Sequence, residues 1–423
     1  MRGGRNSRLA AAQIVAEWLE SGDFPERALA GLKQDRAFVM TLVHGVLRQQ
    51  AVMVWLEERW VRRAPSFLTR ALLQVGFYQL LLLDEVEVYA AINECVEGAK
   101  CQSNGLGAAK LVNGVLRRCD RERVEVMAAL AGESLALRLS HPAALLAGWE
   151  RVYGAEEALA LAEWNNVPAE TVVRVEQQRV EADAFVDALR AAGVEPLLHP
   201  ASEREVFLVM PRGVSVASLP GYAEGWFVVQ DPATVLSVDL LAPRTGERVL
   251  DACAAPGGKS LLMASRMRGG AGLTAMELHA DRLPTLRANM ERVGFGEVAV
   301  VQGDARCPED ALGDELFDAV LLDVPCSNSG VLRRRSDARW RIVPERMERL
   351  VALQAEILSA CAARLRSGGR LVYSTCSLEP MENEELVNRW VANHPAFQLD
   401  REVKAFPPEA ETDGAFAALI RRR

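Results

Sequence analysis

A chain of 423 residues, half hydrophobic and a quarter charged, has a soluble globular composition and is too long for one core, so two or three domains are expected. Its formal net charge of −8 excludes a polycation that coats nucleic acid, and leaves any such site as a local basic patch. The eight cysteines contain no C-x-x-C pair and no framework spacing, which argues against structural zinc and for a reducing, cytoplasmic setting.

The basic start, MRGGRNSR, runs into an amphipathic helix from Ala10 to Leu19 instead of a secretory apolar region. The strongest apolar run, Leu80 to Leu83, is far too short to span a bilayer. Residues 1–135 carry apolar positions at three-and-four spacing over Asp35–Val46, Thr69–Leu82, Ala90–Ala99 and Lys110–Arg118, with Gly105 and Gly107 in a break. This predicts an all-α domain, with Trp18, Trp55 and Trp60 as core. Residues 136–230 read as a small α+β connector. Helices are expected over Pro142–Trp164 and Glu181–Ala192, and strands over Ala169–Val175 and Glu205–Met210. His199 has no partner at metal spacing and reads as a surface residue.

From residue 231 strands and helices alternate. Strands are expected at Arg248–Asp251, Leu273–Met276, Val298–Val301, Phe317–Leu322 and Arg370–Ser374. Helices are expected from Ser260, over His279–Val293, over Pro344–Arg366 up to Gly368-Gly369, and over Glu382–His394. Such alternation predicts a parallel, doubly wound sheet, whose ligands bind at the carboxyl ends of the strands.

At those ends lie the chemistry-bearing stretches. DACAAPGGKS (Asp251–Ser260) lacks the glycine that a P-loop needs, since Cys253 stands there, and it is no G-x-G-x-x-G either. Its small residues and Gly257-Gly258 admit a ligand to the backbone, and the helix start offers N–H groups to a carboxylate. Asp251, Glu277, Asp304 and Asp323 end four successive strands. An acid ending the second strand suits ribose hydroxyls. An amino-acid carboxylate at the helix start and a ribose at Glu277 describe S-adenosyl-L-methionine. DVPCSNSG puts Asp323 and Cys326 just past the fourth strand, and YSTCS puts Cys376 just past the fifth. A thiol, an acid and a methyl donor suit carbon 5 of a pyrimidine, which becomes nucleophilic only after a thiolate adds to carbon 6.

Two stretches of the chain resemble known families. DRAFVMTLVHGVLR, VGFYQLLLLDEVEVYAAINECVEGAK and AAKLVNGVLRR are similar to the NusB-type helical RNA-binding domain. DACAAPGGKS, GDA, DVPCS and YSTCS resemble the Nol1/Nop2/Sun family of RNA cytosine-5 methyltransferases, and with the NusB-like half its bacterial 16S ribosomal RNA branch. The resemblance implies three parts: an all-α NusB-like domain (1–135), the α+β connector (136–230) and a Rossmann-like α/β methyltransferase domain (231–423). It implies Cys376 as nucleophile, Cys326 in product release and Asp323 at the cytosine. It implies cofactor binding by Cys253, Ala254, Ala255, Pro256, Gly257, Gly258, Lys259, Glu277, Asp304 and Asp323. Lys259 is left to position Asp323 or a phosphate. The partner implied is 16S ribosomal RNA, and a monomer without metal or membrane is expected. Three positions depart from the family pattern: Glu277 replaces Asp, Asn328 replaces Gly, and DGAF (Asp413–Phe416) replaces DGFF. If the residue at 328 needs a positive φ, Asn is the best replacement for Gly there.

Arg333, Arg334, Arg335, Arg339 and Arg341 follow the catalytic loop and read as phosphate contacts, with Trp340 either stacking on a base or packing in the core. Arg421–Arg423 form a second basic cluster. Two other readings stay open at this point. One is DNA cytosine-5 methylation, with Cys326 as nucleophile. The other is an RNA-binding factor whose methyltransferase half is only a scaffold.

Overall fold

The computed structural model describes residues 7–22, 24–32, 35–83 and 86–423. The first six residues of the basic start and Asp84-Glu85 of the NusB-like stretch lie outside them. The chain divides into two compact units, Met1–Asn166 and Val167–Arg423. The described part of the first is helical throughout. The helix Phe67–Leu81 is its centre, because its residues are apolar on nearly every face and are buried accordingly. Ser66 caps it, its hydroxyl accepting the Thr69 N–H at 3.3 Å. Arg36–Arg48 packs across it through Gly45, where a Cβ would stand 2.1 Å from the Tyr78 ring. The stretch expected as one helix over 142–164 is two, Ala143–Tyr153 and Ala155–Asn166, broken at Gly154 with φ +96°. Gly105 opens the helix Gly105–Arg121 instead of lying in a break.

The second unit opens with an antiparallel sheet of β1 (Thr171–Val175), β2 (Leu197–Leu198), β3 (Phe207–Met210) and β4 (Phe227–Val229), in the order β2-β3-β1-β4. The helix Ala182–Ala191 closes it, packing Phe185 and Leu189 on Val173, Val175, Leu208 and Phe227. His199, expected at the surface, is buried, with its Nδ1 against the Ala201 N–H at 3.1 Å.

The larger sheet contains β5 (Val249–Asp251), β6 (Leu273–Glu277), β7 (Ala299–Gln302), β8 (Phe317–Asp323), β9 (Leu365–Thr375), β10 (Phe397–Ala405) and β11 (Ala415–Arg422). Its order is β10-β11-β9-β8-β5-β6-β7. The run from β9 to β7 is parallel. Residues along these strands alternate between two cores. Val249, Ala319, Leu321 and Val372 face one side; Leu250, Val320, Leu322, Leu371 and Tyr373 face the other. Burial on both faces is what makes these strands read as continuous apolar runs.

Two expectations are corrected here. The sheet is not wholly parallel: β11 pairs antiparallel with β9, and β10 with β11. The helix from Pro344 ends at Ala362, not Arg366. Leu365 already pairs with Phe317, and Arg366–Gly369 form an irregular excursion inside β9, with Gly368 at φ +76°. Strand order reverses between β5 and β8, so the crevice beyond their carboxyl ends is the switch point where such sheets take ligands.

Candidate active site

Three loops leave the sheet at this crevice. The first follows β5. Gly257, at φ +107°, turns the chain into the helix Gly258–Arg266, and a Cβ there would meet Leu286 at 2.8 Å. Only glycine fits both the dihedral and the space. The turn is braced from outside: Gln230 Nε2 donates to the Gly258 carbonyl at 3.1 Å, and buried Arg174 donates to Gln230 Oε1 at 2.7 Å. Asp251 is buried beneath the turn and accepts the Ser260 hydroxyl at 2.5 Å. Burial, the largest effect, pushes its carboxyl up to about 7; the Ser260 bond opposes this and the Asp323 charge adds to it. Cys253 is half-buried, and burial likewise pushes its thiol well up. The neighbouring Cys361 thiol and the carboxyls of Asp251, Asp323 and Glu277 push it the same way.

The second loop follows β8 and the third follows β9, and they meet. Cys326 Sγ lies 3.2 Å from Cys376 Sγ. Asn328 stands at φ +63°, the left-handed conformation its substitution for Gly requires, and its Oδ1 accepts from Cys376 Sγ at 3.2 Å. Contact with the Cys376 sulfur, then burial, pushes the Cys326 thiol far above the ordinary range, so it stays protonated at neutral pH. Asp323 is gripped on both oxygens: Lys259 Nζ is 2.7 Å from Oδ2, and the Ser374 hydroxyl donates to Oδ1 at 3.0 Å. Burial works against the Lys259 ammonium, but Asp323 and Cys376 outweigh it and hold its pKa above normal. Lys259 and Cys376 also line one cavity of about 50 Å³, room for a water and not for a base.

The remaining acids lie on the other side of the crevice. Glu277 Oε1 accepts the His279 N–H at 2.9 Å, and Oε2 is 3.3 Å from Arg282. Asp304 is bound by Arg306 at 2.6 Å, and those hydrogen bonds hold its carboxyl below the usual range. Small residues, a helix start and strand-end carboxylates thus surround the glycine turn, which fits a ligand bearing a carboxylate and hydroxyls. Among the described residues, no three His, Cys, Asp or Glu side chains gather to hold a metal.

Comparison with known proteins matches three stretches of the chain. Residues 5–121 match the NusB family, 141–215 the ferredoxin-like domain of RsmF/B-like methyltransferases, and 238–421 the 16S rRNA methyltransferase RsmB/F family. Ribosomal RNA small subunit methyltransferase B of Klebsiella pneumoniae is 35% identical, over the whole of both chains. The chain belongs to the ribosomal RNA small subunit methyltransferase B family. The Cronobacter sakazakii member is 34% identical over 99% of each chain. Among solved structures, a methyltransferase homolog protein from Pyrococcus horikoshii is 27% identical, with a TM-score of 0.58 over 68% of this chain and 97% of that one.

Within this chain the arginine run is built differently from the sequence expectation. Arg334 bridges Asp231 at 2.9 Å and Asp413 at 2.7 Å. Burial first, then the Asp231 charge, pushes the Asp413 carboxyl up to about 6 despite Arg334. Arg339 is fully buried, and Arg341 is paired with Asp337. Arg333 donates to the Val167 and Pro168 carbonyls at 3.1 and 3.2 Å. Of the five arginines expected to meet phosphate, Arg339 is thus buried and Arg334 is held by two acids while its side chain stays 32% exposed. Arg335 is exposed. Arg421 pairs with Asp400 at 2.7 Å. Sequence reasoning also missed Arg174, Gln230, Asp231, Ser374 and Glu382, whose roles depend on partners distant in the chain.

Proposed function

We propose that this methyltransferase uses S-adenosyl-L-methionine to methylate carbon 5 of a cytosine in 16S ribosomal RNA, through a covalent adduct on Cys376. The observation that carries the reading is the 3.2 Å meeting of the two sulfurs, beside an acid held by Lys259 and Ser374. Residues 253–258, Glu277, Asp304 and Asp323 would hold the cofactor, which supplies an electrophilic methyl on a sulfonium, while Lys259 holds Asp323. Cys376 bonds to carbon 6 of the base, while Asp323, fixed at both oxygens, shares a proton with ring nitrogen 3 and stabilises the charge of the adduct. Carbon 5 is then the nucleophile. Its proton passes to the Cys326 sulfur once that thiol has released its own proton to solvent, and the Cys376–C6 bond then breaks with its electron pair returning to sulfur. The target base has to leave its stack to arrive there.

Substituting each cysteine separately is the test. Cys376→Ala should form no adduct with substrate RNA and lose at least about a thousandfold in rate. Cys326→Ala should instead accumulate protein–RNA adduct visible on a denaturing gel. The reverse pattern would support the Pro-Cys thiol as nucleophile, and bisulfite sequencing of the RNA would show whether cytosine C5 is modified at all.

A further inference from the structure

We propose that Glu382 is a positioning residue, one carboxylate that clamps the two cysteine loops together. The inference rests on the reading above only for the roles of the cysteines. Glu382 is fully buried in the 3₁₀ turn Pro380–Glu382. Its Oε1 accepts the backbone N–H of Ser327, the residue after Cys326, at 2.9 Å. Its Oε2 accepts the hydroxyl of Ser377, the residue after Cys376, at 2.5 Å. Gln354 Nε2 donates both to Glu382 Oε1 at 2.8 Å and to the Pro325 carbonyl at 2.9 Å, which ties the same carboxylate to the residue before Cys326. The Glu382 backbone carbonyl in turn accepts the Tyr373 hydroxyl at 2.6 Å.

Around this carboxylate the loops are joined by hydroxyls. Ser327 and Ser329 lie 3.0 and 3.2 Å from Ser377, oxygen to oxygen, and the Gly330 N–H donates to the Cys376 carbonyl at 2.9 Å. A carboxylate is costly to bury, and apolar packing alone could close a turn of this kind. Here every side-chain donor to Glu382 comes from a residue adjoining a cysteine or from the glutamine that holds Pro325. That placement fixes where the sulfurs stand relative to each other. The titratable groups facing Cys326 are Cys376, Glu382 and Tyr373. The negative charge of Glu382 therefore also favours the protonated form of Cys326, the form that can hand a proton on.

The full-length chain tests this with Glu382→Ala and the near-isosteric Glu382→Gln. Two readouts need neither RNA nor methyl donor. One is the rate at which diamide, taking up both thiol hydrogens, joins Cys326 to Cys376. The other is the pH midpoint of Cys326 alkylation by iodoacetamide, read by peptide mass spectrometry. Glu382→Ala should slow the joining and reduce kcat on 16S ribosomal RNA about a hundredfold, with KM little changed. Glu382→Gln should restore the joining rate, since Ser377 can turn its hydroxyl to accept, yet move the Cys326 midpoint to lower pH. Parental joining and kcat in Glu382→Ala would overturn the clamp. If that variant does not fold, a parental Cys326 midpoint in Glu382→Gln overturns it instead. A parent chain that forms no RNA adduct would defeat the catalytic reading while leaving both thiol readouts intact.

Discussion

The two sides of the crevice are held by different kinds of contact. On the β6–β7 side, Glu277 and Asp304 are met by Arg282 and Arg306, whose side chains are 49% and 50% exposed. On the β8–β9 side, the thiols and Asp323 are met by hydroxyls, a carboxamide and a lysine, on a buried serine network. With their arginines half in solvent, pairs of the first kind rearrange at smaller cost than buried ones. Contacts of the second kind are fixed before any ligand arrives, which is what stabilising charge in a transition state requires. Under the proposed reading, one side accepts the methyl donor and the other acts on the base.

Lys259 offers the sharpest way to break this division, because it starts on the helix Gly258–Arg266 and ends on Asp323. Lys259→Met should reduce kcat about a hundredfold while leaving methyl-donor affinity, measured by calorimetry, within about threefold. Collapse of affinity with kcat intact would assign the lysine to the binding side. A smaller effect should appear in stability. The folded chain keeps a proton on Asp251 up to about pH 7, while an ordinary aspartate loses it at 3.8. Stability from this group is therefore full below the ordinary value and is lost as pH rises toward 7. Asp251→Asn should flatten that part of the Tm-against-pH curve, and parallel curves for parent and variant would place the proton elsewhere. The least effect is expected from Arg282→Gln, with KM for the methyl donor changing by less than about threefold. A larger change would make the arginine a ligand group, and the two sides would then be alike.

Much of the site was legible because its chemistry lies in short stretches. The glycine pair, the strand-end acids and the two thiols each declare themselves within a few residues. Most strands buried on both faces did the same, although β11, as deeply buried, was not read. β10 did not, since FQLDREVKA is half exposed and carries charges along its length. The helix from Pro344 was read too far because Leu365 continues its apolar spacing, although its partner is Phe317 across the sheet. The arginine run was only partly legible, for another reason. Its length suggests a solvated or phosphate-facing patch, but the partners of Arg334 lie 103 and 79 residues away, and no local pattern announces them. Glu382 was hidden in the same way. One acid among Glu379, Glu382, Glu384 and Glu385 is interior, and only the packed structure distinguishes it.

Asn328 has a consequence for the resting molecule. Backbone shape alone would be satisfied by glycine at this position, but the carboxamide also covers the Cys376 sulfur. In this structure the Cys376 thiol thus rests against the carboxamide oxygen. Under the proposed mechanism an incoming pyrimidine would have to displace that hydrogen bond to reach the sulfur, so arrival of the ring would itself uncover the nucleophile.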